Sequence, residues 1–185
     1  LAGLLAAYIG GRFETLIMRL VDLQLSFPTI LAAMLILAFL GKGVTNVVLA
    51  IVIVEWAAYA RTARGSALSV MRREYVEAAM LAGQSNTTII LKQILPNTLS
   101  PIIVLASLMV ATAILLESSL SFLGLGDPNV MSWGYMIGAA RTVIRQAWWL
   151  SFFPGVAILL TVLALNLVGE GLNDALNPRL ARQDG

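Results

Sequence analysis

The chain has no cysteine and no histidine, and charged residues fill only 12% of its 185 positions. Without cysteine there are no disulfides, thiolate nucleophiles or cysteine metal sites. Without histidine, the commonest general base and metal ligand is gone, and so is any histidine-based pH switch. A catalytic centre would have to be built from carboxylates, lysine, serine or tyrosine. Only two lysines exist, Lys42 and Lys92, both in predicted loops, and the apolar stretches hold no paired acidic motif. This argues against an intramembrane serine–lysine or twin-aspartate enzyme. No glycine-rich phosphate loop ending in Gly-Lys-Ser or Gly-Lys-Thr is present. The net charge is +2 with no long basic run, which argues against nucleic acid as a partner.

What fills the chain is apolar. Hydrophobic residues make up 59% of it, and the mean hydropathy is +0.87. A soluble domain carries about 45–50% apolar and about 25% charged residues. The expected fold class is therefore all-α, a polytopic helical bundle within a membrane and in contact with its lipids. The opening LAGLLAAYIGG is too short to span and lacks the charged start of a signal peptide. The expectation is the end of a first helix, with the chain N-terminally truncated.

Gly10-Gly11 closes that partial helix, and Arg12 and Glu14 read as a polar connection. A span follows from Leu16 to Leu40, kinked at Pro28. Arg19 and Asp22, three apart, are placed to pair. Gly41-Lys42-Gly43 is a turn, and Val44–Ala60 is the next span, with Glu55 and Trp56 inside it. Residues 61–96 are rich in charge and read as an aqueous connection. Asn97–Leu116 is a further span, residues 118–146 an outer loop and Ala147–Val168 the last span, before a polar tail. The outer loop is too apolar, at Phe122, Leu123, Trp133, Tyr135 and Met136, to be free. It is expected to fold back as a short helix.

Basic residues set the orientation. Arg12, Arg19, Arg61, Arg64, Arg72, Arg73, Lys92, Arg179 and Arg182 fall on one side; Lys42, Arg141 and Arg145 fall on the other. Nine and three account for all 12. The 61–96 connection and the C-terminus are expected on the cytoplasmic face, and Trp148-Trp149 at the outer interface as anchors.

A connection of this length is long for structureless chain. Leu68, Met71, Tyr75, Ala78 and Ala82 form a helical seam. Arg73 and Glu77 are four apart and can pair. Gly83 suits a left-handed helix end, Ser85 suits the cap of a second short helix, and Pro96 stops that helix or starts the next span. Ala78, Ala79, Ala82 and Gly83 would let another backbone approach closely. An amphipathic helix lying on its own membrane domain fits the same pattern.

Glu77-Ala78-Ala79, three residues, Gly83, and then Leu95-Pro96 resembles the EAA loop of ABC importer permeases. The general pattern puts nine residues between the glycine and an Ile; here Gln93 stands at that Ile's place and Ile94 follows. Ile94-Leu95-Pro96-Asn97 is similar to the dipeptide/oligopeptide/nickel branch. So are DLQLSFP from Asp22 to Pro28, Tyr59-Ala60-Arg61, Leu120 to Gly126, Ser132-Trp133-Gly134 and LALNLVGEGLNDALNP from Leu163 to Pro178. The resemblance covers nearly the whole chain, nearest to the C-type subunit.

The resemblance implies the permease subunit of an ATP-driven importer in a bacterial inner membrane. Its partners would be a second homologous permease subunit, two ATPase subunits and a periplasmic or lipid-anchored solute-binding protein. ATP and Mg would be bound by the ATPase subunits, with no cofactor on this chain and no hydrolysis by it. Glu77, Ala78, Ala79, Gly83, Leu95 and Pro96 would couple the ATPase to the spans. Di- or oligopeptides are the expected solutes, with nickel complexes or other small solutes as the alternative. A channel or scaffold would not need such a loop, and an ABC exporter half would carry longer cytoplasmic helices. Charges inside spans are costly and usually functional, so Glu55 and Glu117 are candidates for the path. Asn166 and Thr161 are weaker ones, since lone polar residues often bond a neighbouring helix.

Overall fold

The computed structural model describes residues 1–176 and side chains through Asp174. Arg179, Arg182 and Pro178 lie outside the described residues. Those residues contain helices and turns and no strand. The helices are α1 (Ala2–Ile9), α2 (Gly11–Leu25), α3 (Thr29–Leu40), α4 (Val44–Met71), α5 (Glu74–Leu81), α6 (Asn86–Ile89), α7 (Leu95–Phe122), α8 (Trp133–Ala139) and α9 (Trp149–Leu176). A π-helical turn, Ile90–Ile94, joins α6 to α7 without a break, and a 3-10 turn, Ala140–Val143, extends α8.

Three helical runs are long and apolar enough to cross a membrane: Val44–Met71, Asn86–Phe122 and Trp149–Asp174. Within their most apolar windows only 28%, 11% and 17% is buried by the chain itself, so most of that surface is left for lipid or another subunit. The protein is thus a polytopic helical membrane protein.

The expected single span Leu16–Leu40 is corrected. It is two helices, α2 and α3, and qualifies as a span only as a broken pair. Pro28 is the residue before α3, with ψ 126°, outside either helix. Having no N–H, it cannot donate back into α2, and the residue before it is biased away from helix. Arg12 and Glu14 lie within α2 and not in a connection.

The expected boundary at Arg61 is also corrected: α4 runs on to Met71. Charge marks where apolar surroundings end, not where a helix ends. Pro96, expected to stop a helix or start the next span, does the second. It is the second residue of α7, at the end of the π turn, and Pro101 lies inside the same helix. Two donors are missing from this stretch, and side chains engage its carbonyls: Asn97 Nδ2 donates to Gln93 O (2.7 Å) and buried Thr98 Oγ1 to Leu95 O (2.9 Å).

The chain divides into two compact regions. Among the described residues, the first comprises 1–26, 56–106 and 172–176. Its core joins Leu4 and Ala7 of α1, Ala67 of α4, Val76 and Ala79 of α5, and Ile89 and Ile94. Val21 with Ala57 and Ala60 forms a smaller cluster. Polar contacts tie α2 to α4: Arg61 to Asp22 (2.6 Å), Arg64 Nε to Glu14 (2.6 Å) and Trp56 Nε1 to Gln24 (2.6 Å). The expected Arg19–Asp22 pair does not form, because Arg61 occupies that carboxylate.

The second region comprises residues 27–55 and 107–171. Ala33 and Leu37, Val47, Ala50 and Val54, and Leu116 and Leu120 make its core. The expected inward-folded helix of the outer loop is present as α8. Ser132 Oγ caps it by accepting from Tyr135 N (3.3 Å). Gly134 rests on α7, where a Cβ would overlap the Ser118 backbone. Arg141 donates to Phe122 O and lies 4.0 Å over the Phe122 ring. Trp148, Trp149, Phe152 and Phe153 form an exposed edge-to-face aromatic chain at the start of α9. Such amphipathic rings suit a membrane interface.

Candidate functional site: the short helix and turn between two spans

The segment from Arg72 to Ser85 stands between the end of α4 and the helical run that begins at Asn86. Helix α4 breaks at Arg72-Arg73, and Arg73 is extended (ψ 140°) at the start of α5. This break resets the helical phase. The seam expected from Leu68 to Ala82 is therefore corrected: Leu68 and Met71 lie on α4, and Tyr75 and Ala78 lie on α5 with their side chains outward.

The buried face of α5 is Val76 (0% exposed) and Ala79 (6%). Glu77, Ala78, Met80 and Leu81 are exposed, Leu81 at 90%. Arg73 and Glu77 are not ion-paired; among the described residues the ion pairs are Arg61–Asp22 and Arg64–Glu14. Ala79, expected to offer close approach to a partner, packs instead into the core of its own region. From Glu77 to Gly83 the outward surface is Glu77, Ala78, Met80, Leu81, Ala82 and Gly83.

Gly83 is left-handed (φ 73°) and closes α5. Gly83 N donates to Met80 O (3.0 Å) and Gln84 N to Ala79 O (3.2 Å), the paired bonds of a Schellman ending. Ser85 Oγ then accepts from Thr88 N (3.3 Å), capping α6 as its position predicted. Two orphaned helix ends are thereby satisfied in three residues, Gly83 to Ser85. Gly83 and Gln84 are held by backbone bonds, and Ser85 by its cap to Thr88. Below it, Leu95 packs against the core that holds Ala79, Ile89 and Ile94. Pro96 lines a cleft of about 960 Å³ with Arg72, Arg73, Glu74 and Tyr75.

The three path candidates are not brought together. Glu55, on α4, accepts from Thr112 Oγ1 of α7 (3.3 Å). Glu117 is inside α7, which continues to Phe122, so it does not end a span. It accepts from Ser121 Oγ (2.6 Å) and lines two cavities. Asn166 is half-buried within α9, and neither it nor Glu55 lines those cavities. Sequence reasoning missed Leu81, for which no local signal exists. It also missed Asp127, whose Oδ2 accepts from Val44 N (3.4 Å) at the start of α4; the Asp127-Pro128-Asn129 turn was the available clue.

Long apolar helices joined by a short helix and a glycine turn describe a polytopic helical membrane protein. The chain belongs to the family described as binding-protein-dependent transport system inner membrane component, which matches residues 1–182. It is 46% identical over 181 residues to the di/tripeptide transport system permease protein DppC of Pseudomonas aeruginosa, covering 97% of this chain and 60% of that protein. It is 44% identical over 179 residues to the dipeptide transport system permease protein DppC of Alkalihalophilus pseudofirmus, covering 96% and 59%. It is 43% identical over 179 residues to the glutathione transport system permease protein GsiD of Pectobacterium atrosepticum, covering 96% and 60%. The chain thus spans 59–60% of the length of these relatives.

Proposed function

We propose that this chain is a permease subunit of an ATP-driven importer of di- or oligopeptides. In this reading it forms half of the path beside a second homologous permease, receives solute from a binding protein on the outer face and hydrolyses no ATP itself. Two ATPase subunits, which bind the nucleotide and Mg, drive it from below. The α5–α6 turn and the C-terminus face the cytoplasm, where the excess of arginine belongs. The names of the relatives support peptides as the solute class.

The observation that carries the reading is the division of α5 into two faces. Val76 and Ala79 anchor the helix to its own region, while Leu81 is 90% exposed beside Glu77, Ala78 and the Gly83 turn. A helix fixed on one side and apolar on the other transmits a push. An ATPase subunit seated on Ala78, Leu81 and Gly83 would move α4 and α7 as attached levers. Alternating access follows when such packed elements switch between two arrangements. Glu55, Glu117 and Asn166 are the side chains assigned to the path.

The test is the assembled, full-length transporter in proteoliposomes. Glu77→Lys places the wrong charge on the contact. Gly83→Pro forbids φ 73° and removes the bond to Met80. Each is expected to reduce the ATPase stimulation by loaded binding protein at least about fivefold, the lower end of inter-site coupling, with the spans still inserted. Unchanged stimulation in both overturns the assignment.

A further inference from the structure

Two concavities in the second region share part of their lining. The smaller, about 80 Å³, is bounded by Val47, Ile51, Glu117, Asp127 and Ser132 among others. The larger, about 490 Å³, is bounded by Val110, Ile114, Glu117, Ser132 and Trp133 among others. Glu117 and Ser132 belong to both.

The two carboxylates differ in how they are occupied. Asp127 is engaged at both oxygens: Oδ2 accepts from Val44 N and Oδ1 from Asn129 N (2.9 Å). Glu117 accepts one bond, from Ser121 Oγ to Oε1, and takes part in neither ion pair. A carboxylate has about four lone-pair sites, so most of its accepting capacity is unspent. A charge in apolar surroundings is costly unless paired. On its α7 side the larger cavity is otherwise lined by Val110, Ala113, Ile114 and the hydroxyl-bearing Ser118, and opposite them by Met131, Ser132 and Trp133, with Trp133 40% exposed. A carboxylate that needs a cation, with an aromatic face in the same cavity, recognises an organic ammonium group.

We propose that Glu117 and Trp133 bind the primary ammonium group of the transported solute, such as the amino terminus of a peptide, on its way along the path. The assignment rests on the importer reading above. It adds the chemistry recognised and the α8 residue that takes part. Glu117 supplies the charge, the indole of Trp133 supplies its face, and Ser121 orients the carboxylate.

The experiment uses the whole reconstituted transporter, its binding protein and trialanine as the probe. Glu117→Gln keeps an oxygen that can accept from Ser121 but removes the charge, so a merely structural role would survive it. Glu117→Gln is expected to slow maximal uptake about tenfold, the size of a lost charge-assisted hydrogen bond. The concentration dependence on loaded binding protein and the stimulated ATPase rate should be unchanged, and Glu117→Asp should recover uptake. Trp133→Ala should slow uptake about threefold. Wild-type uptake by Glu117→Gln overturns the proposal, as does a loss that Glu117→Asp does not recover. If Glu117→Gln does not assemble, wild-type uptake by Trp133→Ala overturns it. If the unaltered transporter shows no ATP-dependent uptake, the importer reading fails, and this inference with it.

Discussion

Two helices of this protein end in the same backbone turn in different surroundings. Helix α5 closes at Gly83 and α7 closes at Gly124, with φ 73° and 82°. Each makes the same pair of bonds: Gly83 N to Met80 O and Gln84 N to Ala79 O in one, Gly124 N to Ser121 O and Leu125 N to Leu120 O in the other. What differs is the residue after the glycine. Leu125 packs into the core that contains Leu120, so the second turn is locked by an apolar clasp. Gln84 is exposed, and the first turn is held by its backbone bonds alone. One turn anchors a loop. The other is left open on its outer side beside Leu81 and Ala78.

The comparison can be broken in order of effect. Leu125→Ala should destabilise the protein by about 1–3 kcal/mol, as for a large-to-small change at a partly buried site, while Gln84→Ala should stay within about 0.5 kcal/mol. Unfolding in detergent micelles measures both, and equal costs would remove the distinction between clasped and open turns. Gly83→Ala and Gly124→Ala sharpen it further. Neither position has a neighbour within 4 Å of an added Cβ, so each substitution bears only the left-handed penalty, about 1–2 kcal/mol. Their stability costs should match, whereas ATPase stimulation should fall only for Gly83→Ala. The smallest effect concerns the caps that follow the two turns. Ser85→Ala and Ser132→Ala each lose one cap bond, about 1 kcal/mol, seen as faster amide exchange in α6 and α8. Loss of exchange protection in α7 with Ser85→Ala would mean that α6 is not a local unit.

Much of the turn was legible beforehand, because its chemistry is local. Gly83 is needed where φ is positive, and Ser85 is needed where a helix starts with unpaired donors. The spans were legible as apolar runs. The errors arose where a sequence cue had two physical meanings. Arginines from Arg61 onward signal water, yet a helix ladder is indifferent to the solvent around it, so α4 continues to Met71. Pro96 signals a stop or a start, yet it falls at the second residue of α7 inside a helical run unbroken from Asn86. Pro28 reads as a kink, yet with Ser26 and Phe27 it marks a full break. Asp22 lies three residues from Arg19, yet Arg61, 39 residues away, takes it.

The sequence alone determined that this is a membrane protein, that it carries neither cysteine nor histidine, and that a glycine turn divides two helices between spans. Each follows from composition or from contacts within a few residues. The tertiary structure decided which face of α5 is spent on its own core. One break at Arg72-Arg73 turns the helix, so Ala79 goes inward and Leu81 outward, and no periodicity counted across that break could assign them. It also decided that Asp127 Oδ2 is occupied, since its partner Val44 N, 83 residues away, arrives only once the chain has folded.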